Sequence, residues 1–105
     1  SFRVALDNDN FGSIEFRKTN YKSALNYYER SLAMKEAINS YKKGKVITLN
    51  NIALCHSHLG NYTKADQINQ RVLEYGMEME NLSIQIDAYA NQMKLLYCYS
   101  GCLVL

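Results

Sequence analysis

The chain contains no proline, so nothing in it forces a kink within a helix. It also lacks an excess of charge of either sign. Twelve basic and 10 acidic residues leave a formal net charge of +2, too little to point to nucleic acid or an anionic membrane. The basic residues are scattered, and the densest group, Lys42, Lys43 and Lys45, reads as a solvated helix start. No apolar run approaches the roughly 18 residues of a membrane span, so no membrane contact is expected of this segment. The three cysteines, Cys55, Cys98 and Cys102, are few and odd in number. That argues against a disulfide framework and for a reducing compartment. The expectation is a cytoplasmic protein, with a periplasmic segment of a membrane-anchored sensor as the alternative. The chain has no signal peptide and does not begin with Met, which suggests a piece of a longer protein. Sustained two-residue alternation is missing, so strands are not expected. No Gly-rich phosphate loop, paired-carboxylate site or nucleophile motif occurs. Neither an enzyme nor a cofactor is expected.

What is present is enough apolar residue, 48%, to offset chain entropy and build a folded core. It is arranged as a repeat. Shifted by 41 positions, the sequence meets itself at Asn10/Asn51, Asn20/Asn61, Tyr21/Tyr62, Ala24/Ala65, Arg30/Arg71 and Leu32/Leu73. The next shift continues with Asn50/Asn91, Leu54/Leu95 and Gly60/Gly101. Repeat one therefore covers 3–40, repeat two 43–80 and a half repeat 82–105. Each full repeat reads as two helices. Val46, Leu49, Ile52, Ala53, His56 and Leu59 fall at helical spacing on one face. Gly60 can adopt a left-handed conformation to close that helix, and Asn61 suits the cap of the next. Ala65, Ile68, Val72 and Gly76 then line the second helix. In repeat one the turn is Thr19-Asn20, and Ala24, Tyr28 and Leu32 form the inner stripe. The fold class is all-α: five helices in an α-α superhelix of two and a half repeats.

Ile52-Ala53, Gly60-Asn61-Tyr62 and Ala65, with Gly12, Tyr21, Ala24, Tyr28 and Leu32 before them, resemble the tetratricopeptide repeat family. The likeness covers nearly the whole chain. A period of 41 rather than 34 is similar to the long-helix members, including kinesin light chains, peptide-sensing bacterial regulators and bacterial sensor kinases. The departures are His56 in place of a frequent Tyr, Asn69 in place of a frequent aromatic, and Thr19 in place of the turn glycine. The resemblance implies stacked repeats with a shared core and a concave groove lined by the first helix of each. Counting within the repeat puts Asp9, Ser13, Phe16 and Arg17 towards the groove, then Asn50, Leu54, Ser57 and His58, then Asn91, Leu95, Cys98 and Tyr99. Asn50 and Asn91 stand out, because an amide offers donors and an acceptor to an extended peptide backbone; the alternative is that they bond a neighbouring helix. With Arg17 the one cation among these positions, a carboxylate clamp of the chaperone-binding kind is not expected. The implied function is a protein- or peptide-binding scaffold, the sensory or assembly segment of a larger regulator. The alternatives are a self-associating structural spacer, and an accessory module of a signalling enzyme such as a sensor kinase.

Two clusters look chemical and are better read as structure. In Cys55-His56-Ser57-His58 the two histidines lie about 200° apart on a helix and cannot share an ion. His56 is expected in the core and His58 at the groove. Cys98 and Cys102 have no further ligand nearby in sequence. The tyrosines at 21, 28 and 62 follow the repeat as packing residues, and without a basic stripe no base stacking is expected. Finally, Ile86, Tyr89, Met93, Leu96 and Tyr97, followed by the tail Cys102-Leu103-Val104-Leu105, leave apolar surface that a second helix of repeat three would cover. A homodimer through the C-terminal helix is the expectation for the chain alone.

Overall fold

The computed structural model describes residues 2–38 and 42–99. Five helices follow one another: α1 (Phe2–Arg17), α2 (Tyr21–Ala37), α3 (Lys42–His58), α4 (Tyr62–Glu78) and α5 (Leu82–Tyr99). Among the described residues there is no strand. Each helix packs on its neighbours in the chain, α1 on α2, α2 on α3, α3 on α4 and α4 on α5. The expected separator Asn39-Ser40, the match of Gly60 with Gly101 and the tail at 101–105 lie outside the described residues.

The turns after α1, α3 and α4 share one construction. Thr19, Gly60 and Glu80 take positive φ angles of 64°, 81° and 51°. At each, the amide of the residue after it reaches back to the last turn of the helix: Asn20 to the Glu15 carbonyl, Asn61 to that of His56, and Asn81 to that of Gly76. These are Schellman closures. Only Gly60 adopts the left-handed geometry without a Cβ penalty; Thr19 and Glu80 carry the strain. The following asparagine opens the next helix in all three cases, its carbonyl accepting the amides of Ala24, Ala65 and Gln85. The expected side-chain cap at Asn61 does not form. Its amide nitrogen instead faces the His56 Nδ1 at 3.4 Å. Asn81 does cap with its side chain, its Oδ1 accepting the Ile84 amide at 3.1 Å.

Inside, Ala24 and Ala65 are both fully buried, as are Leu49 and Val72. Leu49 and Val72 each contribute about 1.5–3 kcal/mol by leaving water. Two exchanges of size distinguish the repeats. Gly12 in α1 leaves room for the Tyr28 ring, since a Cβ there would stand 2.8 Å from it; in repeat two the pair is Ala53 and Asn69. Likewise Lys35 of α2 lies over Gly44 of α3, whereas Gly76 of α4 lies under Gln85 of α5, where a Cβ would come within 3.1 Å of its side chain. The large partner moves from one helix to the other, and the space stays filled.

The 41-residue register holds from α2 to α4, whose first residues are Tyr21 and Tyr62. At α5 the register is kept where the helices approach, since Lys35 over Gly44 recurs 41 residues on as Gly76 under Gln85, but burial differs. In α3 the residues Lys45, Thr48, Ile52 and Cys55 are buried. At a spacing of 41 their equivalents are Ile86, Tyr89, Met93 and Leu96, all exposed. Ala88 and Leu95 are buried instead, Gln85 bonds the Gly76 carbonyl and Gln92 bonds Gln70. Helix α3 packs on both α2 and α4, whereas α5 packs on α4.

Candidate functional site

The residues expected along the groove meet different fates. Asp9 spends its carboxylate on a buried lysine. Lys35, 2% exposed, donates to Asp9 Oδ2 at 2.6 Å, to Thr48 Oγ1 at 2.8 Å and to the Gly44 carbonyl at 3.2 Å. The Thr48 hydroxyl donates to the other Asp9 oxygen at 3.3 Å. All three ammonium protons have acceptors, which is what allows the charge to be buried. This network joins α1, α2 and α3. One repeat on, Asp9 becomes Asn50 and Lys35 becomes Gly76, so both charges leave together. Asn50 keeps a buried Oδ1 with no hydrogen-bond partner.

Arg17 is exposed in the last turn of α1. Beside it Phe16, Tyr21 and His58 form an aromatic trio across three helices. His58 stacks on Tyr21 with ring centres 4.4 Å apart and planes 6° from parallel, and Phe16 meets His58 edge-on at 5.3 Å. Ser13 is held by Tyr28, their hydroxyls 3.0 Å apart, and burial pushes the Tyr28 phenol above its ordinary pKa. Tyr99 ends α5, and its side chain and that of Cys98 lie outside the described residues.

Five of the expected residues come together. Leu54, Ser57 and His58 from α3, with Asn91 and Leu95 from α5, line one cleft of ≈ 280 Å³. Ala53, Tyr62, Asn69 and Lys94 complete its wall. Its lining is mostly apolar with a few polar groups converging on it, the usual make-up of a binding pocket. Asn69 is 2% exposed and its Oδ1 has no hydrogen-bond partner. The sequence carried a signal for Asn69, an amide where an aromatic is frequent. Nothing in the repeat pattern marked Lys94, which lines the cleft between the expected residues Asn91 and Leu95.

The Cys-His cluster resolves into packing. Cys55 is fully buried, and burial pushes its thiol up to about 11, far from thiolate reactivity at neutral pH. His56 is buried, and desolvation lowers its pKa below the ordinary 6.5.

A family model for the tetratricopeptide repeat matches residues 3–75, from α1 into the last turns of α4. The chain belongs to the tetratricopeptide repeat family. Among curated proteins none matches it. Tetratricopeptide repeats mediate protein–protein interaction or scaffolding and are typically non-catalytic. No helix among the described residues is long and apolar enough to cross a membrane.

Proposed function

We propose that this tetratricopeptide repeat chain is a non-catalytic scaffold that binds an extended segment of a partner protein along its first helices, as the sensory or assembly part of a larger regulator. The observation that carries this reading is the convergence of Leu54, Ser57, His58, Asn91 and Leu95 on one cleft between α3 and α5. Asn50 extends the path towards α1. Its unpartnered buried Oδ1 offers an acceptor to a peptide amide, and the Asn91 side chain offers a second amide at the cleft. The charges of the groove are spent or exposed: Asp9 on Lys35, Arg17 and Lys94 at the surface. In this reading recognition rests on amides and apolar contact, with the Lys94 ammonium at the rim of the cleft. The odd cysteine count and the buried thiol of Cys55 fit a reducing compartment, the cytoplasm.

The test is a peptide titration at low and high salt, with Asn50→Ala and Asn91→Ala beside the parent. Each alanine should weaken binding by on the order of 1 kcal/mol, with weak salt dependence. Binding that collapses with salt and ignores both substitutions would overturn the reading. A second reading, a self-associating spacer, is favoured by the exposed stripe Ile86, Tyr89, Met93 and Leu96, which would pair with the same stripe of a second copy.

A further inference from the structure

The cleft between α3, α4 and α5 exists because two aromatic rings present in repeat one are missing from repeat two. In repeat one, Tyr28 lies against Gly12 and its hydroxyl reaches Ser13. Phe16 packs against the core and meets Tyr21 edge-on at 5.2 Å. At the corresponding positions of repeat two stand Asn69, Ala53, Leu54, Ser57 and Tyr62. The walls are kept, and the rings at 28 and 16 are replaced by an amide and a hydroxyl. All five of these residues line the cleft.

We infer that this cleft is a pocket for one aromatic side chain carrying a hydrogen-bond donor, namely a tyrosine of the bound polypeptide. The inference rests on the groove reading above and names what one pocket of that groove selects. At ≈ 280 Å³ the cleft has room for a single ring inserted between the apolar walls of Ala53, Leu54 and Leu95. Asn69 gives the selectivity. Its Oδ1 is buried in the empty protein without a partner, and a buried acceptor left unpaired is costly. A phenol O–H donating to it removes that cost. A phenylalanine ring would fill the same space and leave the cost in place. The incoming ring therefore substitutes for the residue that repeat one supplies from its own chain.

The pocket can be tested apart from the groove. Titrate the full chain with p-cresol, the side chain of tyrosine, and with toluene, following backbone amides by NMR. p-Cresol should shift the amides of Ala53, Leu54, Asn69 and Leu95, and toluene should bind about tenfold more weakly. Asn69→Leu should erase that preference. The double change Ala53→Gly with Asn69→Tyr rebuilds the repeat-one arrangement and should abolish p-cresol binding. If that double variant does not fold, Ser57→Phe, which restores the other ring, should block the site instead. Absence of p-cresol shifts, or binding indifferent to these substitutions, would overturn the pocket.

A random peptide library displayed on phage then separates the two readings. Peptides enriched on the parent chain should carry tyrosine at one fixed position and lose binding to the filled variant. Enriched peptides without tyrosine that bind the filled variant equally would sink the pocket and leave the groove standing. Enrichment of no peptide, with p-cresol still bound, would sink the groove and assign the pocket to a free phenol.

Discussion

At single residues, small local conflicts have measurable consequences. Thr19 holds a φ of 64° at the position where repeat two has Gly60. Thr19→Gly should relieve a left-handed strain of about 1–2 kcal/mol, offset in part by the greater freedom of glycine in the unfolded chain. A net rise in thermal midpoint is the expected outcome; a fall would mean that the threonine side chain contributes more than its strain costs. His56 supplies a pH dependence. Its folded pKa is depressed by burial, so the unfolded chain binds the proton more readily. The stability linked to His56 is complete above the ordinary value of 6.5 and is lost as pH falls from there towards the depressed folded value. Denaturant midpoints measured from neutral to mildly acidic pH should therefore drop more steeply for the parent than for His56→Gln. Parallel curves would refute the assignment. Gly12→Ala places a methyl 2.8 Å from the Tyr28 ring and should cost about 1–3 kcal/mol by overpacking.

Between elements, the repeat is kept by complementary changes and not by identity. The Asp9–Lys35 pair fastens α1 and α2 to α3 through Thr48 and Gly44. Lys35→Met removes one partner of a buried ion pair and leaves Asp9 unpaired, at an expected cost of about 3 kcal/mol. Adding Asp9→Asn should recover part of that loss, as Asn50 stands in repeat two with no lysine near it in register. Chemical denaturation of the two single variants and the double gives the coupling directly; strict additivity would mean that the pair does not act as a unit. The fully buried Ala65 makes the same point for helix approach. Ala65→Leu should overpack the second repeat by roughly 1–3 kcal/mol, and an unchanged melting temperature would count against its place at a close contact. The surface pairs Lys42–Glu78 and Glu36–Arg71 are about half exposed and add little by comparison.

For the molecule as a whole, the consequential surface is the outer face of α5. Leu82, Ile86, Tyr89, Met93 and Leu96 lie at helical spacing and are 49–68% exposed. The residues of α3 that correspond to the last four, Lys45, Thr48, Ile52 and Cys55, are buried. The chain of 105 residues is therefore expected to self-associate through α5, most simply as a two-fold dimer. Sedimentation should report a dimer that Met93→Glu with Leu96→Glu converts to monomer. A monomer at high concentration would refute the prediction. Loss of the dimer on adding one further helix after Leu105 would assign that face to intramolecular packing.

The fold was legible in the sequence because helical periodicity and turn chemistry are local. Gly60-Asn61-Tyr62, the buried alanines at 24 and 65, and the repeat of 41 positions follow from the backbone needs of neighbouring residues. Five of the residues that meet at the cleft were named through the resemblance to the repeat family, which places the first helix of each repeat at the groove. Three features awaited the tertiary structure. Which residues of α5 are buried depends on what packs against it, α4, and no pattern within α5 records it. The ion pair of Asp9 with Lys35 joins residues from different helices, and charge alone did not identify the partner. The cleft is a volume left by the rings that Asn69 and Ser57 lack, and empty space is defined only once the surrounding helices are in place.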